Sequence, residues 1–279
     1  MAVGTAGPAD GRAASPSSAV AGASSAVAVA PAWTAIGPRD APLLVFIHGT
    51  RLTRAQWWPQ LRLLATAYRC LAVDLPGHGA LASVPFTIEG AVGAVREAIR
   101  AEAGSGRAVL IGLSLGGYVA IEVADAHPEL VGGLVLAGCS AEAMGAAAVP
   151  YRCFRWLLRR APRRAQDAVN AAFFRLRYRP AIAEPIIEGG FWPEGGAAAL
   201  DVLMGRRYLD RLGRLWTPVI VANGALDPVF RPRGEYWAAV CRQGRHVVVP
   251  RAMHLSNLDR PAAFSRVVAA FVQRVASAS

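Results

Sequence analysis

The sequence predicts an α/β fold: a mostly parallel central sheet flanked by helices, with a helical segment inserted late in the chain. Three observations carry that expectation. Runs of Val, Leu, Ile and Ala at Leu43–Ile47, Val109–Leu113, Leu134–Ala137, Val219–Ala222 and Val247–Val249 end in glycine or loop residues, as strands buried on both faces do. Between several of them lie segments whose apolar residues recur every three or four positions, the period of a helix face. Residues 141–216 break this alternation, with helical patterns and no convincing strand. Alternating strands and helices favour a parallel sheet covered on both sides, and 279 residues suffice for one such domain with an insert.

The expected organisation is therefore a disordered Ala/Gly/Ser/Pro-rich tail over 1–32, a core formed by 33–140 and 217–279, and a helical cap over 141–216. In chain order, Trp57, Leu61 and Leu64 mark a helix after the first strand; Trp57 or Trp58 is a candidate for the pocket mouth, with core packing the commoner fate of such aromatics. Cys70 begins a buried strand, where cysteine behaves as a small apolar residue. Ile88, Val92, Val95 and Ile99 form one face of a helix between Thr87 and Ala103. Val119, Val123 and Ala126 lie on a helix that stops at His127-Pro128, where proline bars continuation. A last helix opens at Pro261 and carries Phe264, Val267, Val268, Phe271, Val272 and Val275 on one side.

The strand at Val109 drives straight into Gly112-Leu113-Ser114-Leu115-Gly116, a G-x-S-x-G sequence. A turn that tight between strand and helix tolerates only glycine-sized neighbours and lifts the serine hydroxyl clear of the sheet. A serine hydroxyl is a weak nucleophile at neutral pH, so it needs a histidine to take its proton and a carboxylate to orient that histidine. Asp227 and His254 follow in that order, each on the loop after a strand. Acyl chemistry also needs two N–H donors for the oxyanion. The Leu115 amide comes with the turn, and Thr50, after the strand ending in His48-Gly49, supplies the other; His48 itself reads as a brace for that loop.

The segments His48-Gly49, Asp74-Leu-Pro-Gly-His-Gly79, Gly112-Leu-Ser-Leu-Gly-Gly117, Asn223-Gly-Ala-Leu-Asp-Pro228 and Met253-His254-Leu255 resemble the α/β-hydrolase superfamily, over nearly the whole chain from Trp33. The resemblance implies a triad of Ser114, Asp227 and His254 with oxyanion donors at Thr50 and Leu115, and a structural role for the turn holding His78. Ser114 as nucleophile also separates the chain from the dehalogenases and epoxide hydrolases of the fold, which use aspartate there. The expected function is hydrolysis of an ester-type bond in a small molecule through an acyl-enzyme. Thioesterase or carrier-protein esterase, lactonase and carbon–carbon bond hydrolase are alternatives on the same triad, and a low-turnover small-molecule receptor is one outside catalysis.

Substrate identity is expected to be written in the cap, where Phe154, Trp156, Leu157, Phe173, Phe174, Phe191 and Trp192 offer apolar surface for a pocket, though packing in the cap's own core is the commoner role for each. Phe154, Trp156 and Phe173, with Trp57, are the candidates for substrate contact. The net charge is +11, and all 30 basic residues are arginines. Residues 141–216 hold 13 arginines against seven carboxylates, which suggests an anionic substrate, an acidic carrier protein or a solvated face. No nucleic-acid module accompanies the charge. Four scattered cysteines and five unclustered histidines predict neither a disulfide framework nor a metal, and without a phosphate loop or dinucleotide motif no cofactor is expected. The expected state is a monomer or homodimer without a transmembrane segment, cytoplasmic, with secretion as the weaker alternative because the mildly apolar run from Ala19 to Ala30 lacks a leucine-rich core.

Overall fold

The computed structural model describes residues 1, 4, 5, 7, 31–103 and 106–277, so the predicted tail lies almost wholly outside the described residues. The compact unit begins at Pro31. Its first half runs β1 (Trp33–Ile36), β2 (Leu43–Ile47), α1 (Trp58–Leu64), β3 (Arg69–Val73), α2 (Ile88–Glu102), β4 (Ala108–Leu113), α3 (Leu115–Ala126) and β5 (Val131–Ala137). There follow α4 (Val149–Arg160), α5 (Arg163–Arg177), α6 (Pro180–Glu188), α7 (Pro193–Leu203) and α8 (Tyr208–Leu212). The chain closes with β6 (Val219–Gly224), α9 (Gly234–Val240), β7 (Gly244–Val249), α10 (Ser256–Asp259) and α11 (Pro261–Ala276).

The strands form one sheet in the order β1-β3-β2-β4-β5-β6-β7, parallel throughout except for β1, which runs antiparallel to β3. Strand periodicity splits the apolar residues between two layers. Val45, Ile47, Leu71, Leu110 and Leu134 pack on one face with Val95, Ile99, Val119 and Val123 of α2 and α3. Leu44, Phe46, Cys70, Ile111 and Val135 pack on the other with Leu61, Phe264, Val268 and Phe271 of α1 and α11. The helix ends follow local chemistry: Thr87 Oγ1 accepts the Gly90 N–H at 2.9 Å to start α2, and proline opens α11 at Pro261.

Two elements depart from the sequence expectation. β1 has only four half-buried residues, too few to show a period. β7 begins at Gly244, earlier than its Val run suggests, because the ladder to β6 pairs Val219 with Gly244.

Of the two readings of Trp57, core packing holds and substrate contact is corrected. Its ring is fully buried, 5.2 Å from Phe46 and 5.9 Å from Phe264, and forms part of the core. Trp156 is likewise corrected: it is 60% exposed on α4 and is not among the residues lining the cavity that holds Ser114 and His254. Between β5 and β6 the chain is helical, and Phe174, Tyr178, Ile186 and Phe191 form a small apolar cluster with Leu52 and Leu258 of the flanking segments. Its arginines are largely matched: Arg155 and Arg159 share Asp201, Arg163 meets Asp167 and Glu194, Arg175 meets Glu184, and Arg177 meets Asp259.

Candidate active site

Ser114 stands between β4 and α3 with φ 53° and ψ −116°, a conformation that side-chain-bearing residues rarely adopt. The surrounding glycines make it possible. A Cβ on Gly112 would fall on the Gly116 backbone, and one on Gly116 would fall on the Ile47 carbonyl oxygen, so helix and strands approach without intervening side chains. The Ser114 amide is held by the Ala137 carbonyl at 2.8 Å.

Asp227 follows β6. Its Oδ1 accepts the Val229 and Phe230 amides at 2.9 and 3.0 Å, and its Oδ2 lies 3.2 Å from His254 Nδ1. Burial works against its charge, but the bond to His254 and the two amides outweigh burial and hold the carboxyl below its ordinary range. The His254 ring stacks on Phe230 at 5.0 Å, and Gly138 leaves room for it, since a Cβ there would stand 2.9 Å from Nδ1. Behind this pair, Ser140 Oγ donates to the Phe230 carbonyl at 2.6 Å, and Asn223 joins Ser140 to His246.

The loop after β2 is equally well braced. His48 Nδ1 donates to the Gly49 carbonyl at 2.9 Å while Nε2 accepts the Leu75 amide at 3.1 Å, which selects the neutral imidazole and the bracing role expected of it. Gln56 accepts the Gly49 amide at 2.8 Å and, with Gln60, engages Asn257 in α10, tying the Thr50 loop to the His254 loop. The glutamines carry no motif, and only their buried position reveals them. Among the described residues neither the Thr50 nor the Leu115 amide has a hydrogen-bond acceptor, the condition an oxyanion hole requires.

Ser114 and His254 open onto one cavity of about 440 Å³, whose walls include Thr50, Arg51, Tyr151, Phe154, Phe173 and Phe230. No hydrogen bond joins Ser114 Oγ to His254 in this structure; both simply face the same space. Of the four aromatics expected at the substrate, Phe154 and Phe173 are brought there and Trp57 and Trp156 are not. Arg51, Tyr151 and Asn170 line the cavity without having been singled out by sequence. Among the described residues no group of three or more His, Cys, Asp or Glu side chains is placed to hold a metal ion, and no helix is long and apolar enough to cross a membrane.

Fold and site together define a hydrolase of the α/β type. The chain belongs to the alpha/beta hydrolase family, whose model matches residues 44–267. It is 31% identical over 247 residues to a pimeloyl-[acyl-carrier protein] methyl ester esterase of Neisseria meningitidis, covering 82% of this chain and 93% of that protein. It is 26% identical over 249 residues to 3-oxoadipate enol-lactonase 2 of Acinetobacter baylyi, covering 85% of this chain and 91% of the relative. A thermophilic esterase from Thermogutta terrifontis superposes with a TM-score of 0.71 at 25% identity, covering 88% of this chain and 93% of the esterase.

Proposed function

We propose that this enzyme cleaves an ester-type bond through an acyl-enzyme on Ser114. The carrying observation is that Ser114, on its strained turn, and His254, held from behind by Asp227, open onto one mainly apolar cavity beside two unengaged backbone amides. His254 Nε2 takes the proton as Ser114 Oγ attacks the carbonyl carbon, and Asp227 stabilises the resulting imidazolium. The Thr50 and Leu115 amides hold the tetrahedral oxyanion. His254 then protonates the departing alkoxide, and a water activated by the same histidine releases the acid and regenerates the serine. The helices of residues 141–216 act as the cap, supplying Phe154 and Phe173 to the acyl pocket. In substrate-free enzymes the serine–histidine bond is often long and tightens only when substrate is bound.

Carrier-linked esters are a second reading, supported by the Neisseria relative and the basic insert. Ion pairing of the insert's arginines, within it and to Asp259, reduces the charge it can offer a partner. Four free cysteines, three of them buried, support a reducing, cytoplasmic setting.

The test is hydrolysis of nitrophenyl esters of graded acyl length by the wild type and Ser114→Ala. Activity that peaks at one chain length and disappears in the variant supports the reading. Equal activity in both proteins overturns it, and silence in both moves carrier-linked esters ahead.

A further inference from the structure

Arg51 places a cation without a counter-charge in the wall of the catalytic cavity. It directly follows Thr50, with φ 68°, in the left-handed region that arginine rarely adopts. That backbone is pinned on both sides: its amide donates to His78 Nε2 at 3.3 Å, and its carbonyl accepts the Trp192 amide at 2.9 Å. The side chain is aimed as well as held. Nη1 donates to Asn170 Oδ1 at 3.0 Å, and Cζ lies 5.1 Å from the centre of the Phe154 ring. Gly196 of α7 leaves space for the stem, since a Cβ there would stand 2.7 Å from Arg51 Cγ.

What is missing is an acid. Nε is buried without a partner, and among the described residues Arg51 forms no ion pair, whereas the insert arginines 155, 159, 163, 175, 177, 206 and 211 all do. Among the described residues no carboxylate lines the cavity. Burial pushes the guanidinium pKa down, with no neighbouring charge to offset it. A desolvated, unpaired charge is unfavourable, and backbone strain at such a residue is kept where the surrounding structure imposes it for use.

We propose that Arg51 receives a carboxylate carried by the acyl part of the substrate, so that the preferred substrates are esters or lactones whose acid portion bears a second, free carboxylate. The proposal rests on the ester-hydrolase reading above and narrows it. A guanidinium held by Asn170 and Phe154 is pre-organised to satisfy its remaining donors with a planar anion through charge-assisted bonds. Arg51 is thus a specificity residue, and its contribution falls on substrate binding.

The experiment compares mono-p-nitrophenyl glutarate with p-nitrophenyl pentanoate, esters of equal acyl length with and without the charge. They are run on the wild type, Arg51→Met, Arg51→Lys and Ser114→Ala, with a melting curve for each protein. The expected result is a ratio of kcat/KM, charged over neutral, at least about tenfold higher in the wild type than in Arg51→Met, carried by KM, with Arg51→Lys recovering part of it. An identical ratio in wild type and Arg51→Met overturns the proposal and leaves Arg51 as a clamp between core loop and cap. Hydrolysis that survives Ser114→Ala overturns the nucleophile assignment instead, while the ratio still reports on Arg51. If neither ester is cleaved, calorimetric titration of Ser114→Ala with monomethyl glutarate decides: saturable binding that Arg51→Met abolishes supports the proposal, and its absence overturns it.

Discussion

The Arg51 amide donates to Nε2 of His78, so a histidine from the turn after β3 holds in place the residue next to Thr50, the proposed oxyanion donor. That bond requires His78 Nε2 to be unprotonated, with Nδ1 donating to the Pro76 carbonyl at 2.9 Å. His48, 4.9 Å away ring to ring, is fixed in the same tautomer by Gly49 and Leu75. The catalytic loop is therefore built on two buried neutral imidazoles.

Acid should dissolve this arrangement. Burial lowers the pKa of His48 from 6.5 to about 4, and burial together with the neighbouring His48 lowers that of His78 from 6.5 to about 3. Between those values and 6.5 the unfolded chain binds more protons than the folded one, so their stabilisation is complete above about pH 6.5 and is lost as pH falls. For His48 alone the full effect is on the order of 3 kcal/mol. The melting temperature is expected to drop by roughly 10 °C from pH 7 to pH 5 and by about half as much in His48→Gln. A curve that is flat over this range in the wild type would falsify the neutral pair.

Asp227→Asn removes the acceptor that selects the His254 tautomer while keeping the side chain's volume. The expected loss in kcat on a nitrophenyl ester is about 10³ to 10⁴-fold, with little change in KM. A loss below about tenfold would show that His254 does not depend on Asp227 for orientation.

Gly116→Ala should unfold or strongly destabilise the protein, because the new methyl group would occupy the position of the Ile47 carbonyl oxygen. Backbone cannot rotate aside as a side chain can, so a cost above about 3 kcal/mol is expected by urea titration. A soluble variant with wild-type stability would mean that the turn relaxes far more freely than its packing allows.

Trp57→Ala and Trp156→Ala form a paired control on the two corrected aromatics. Emptying the Trp57 site, closed by Phe46 and Phe264, should cost about 3 to 5 kcal/mol, whereas Trp156, 60% exposed, should fall within about 0.5 kcal/mol of the wild type. Urea titration of both variants checks this, and reversed sensitivities would refute the assignment of Trp57 to the core.

Where the chemistry depends on neighbours in sequence, the sequence was readable. The G-x-S-x-G turn, the acid after β6 and the histidine after β7 announce themselves because each needs a particular local backbone. The same holds for α2, α3 and α11, whose periods and flanking Thr87, Pro128 and Pro261 mark faces and ends. Trp57 and Trp156 show the limit. Both occur in helical patterns rich in apolar residues, and only the packing of α1 against β2 and α11, and the outward turn of α4, assign one to the core and the other to solvent.

The sequence by itself therefore determined the layered α/β fold and the order of Ser114, Asp227 and His254, since strand and helix periods and tight-turn residues act over a few positions. Tertiary structure alone decided which side chains share the cavity. Arg51 meets Asn170 from 119 positions away, and Phe154 from α4 covers the guanidinium. Whether a charge is paired or stranded depends on such distant neighbours, because electrostatic and packing energies are set by distance in space and by exclusion of water.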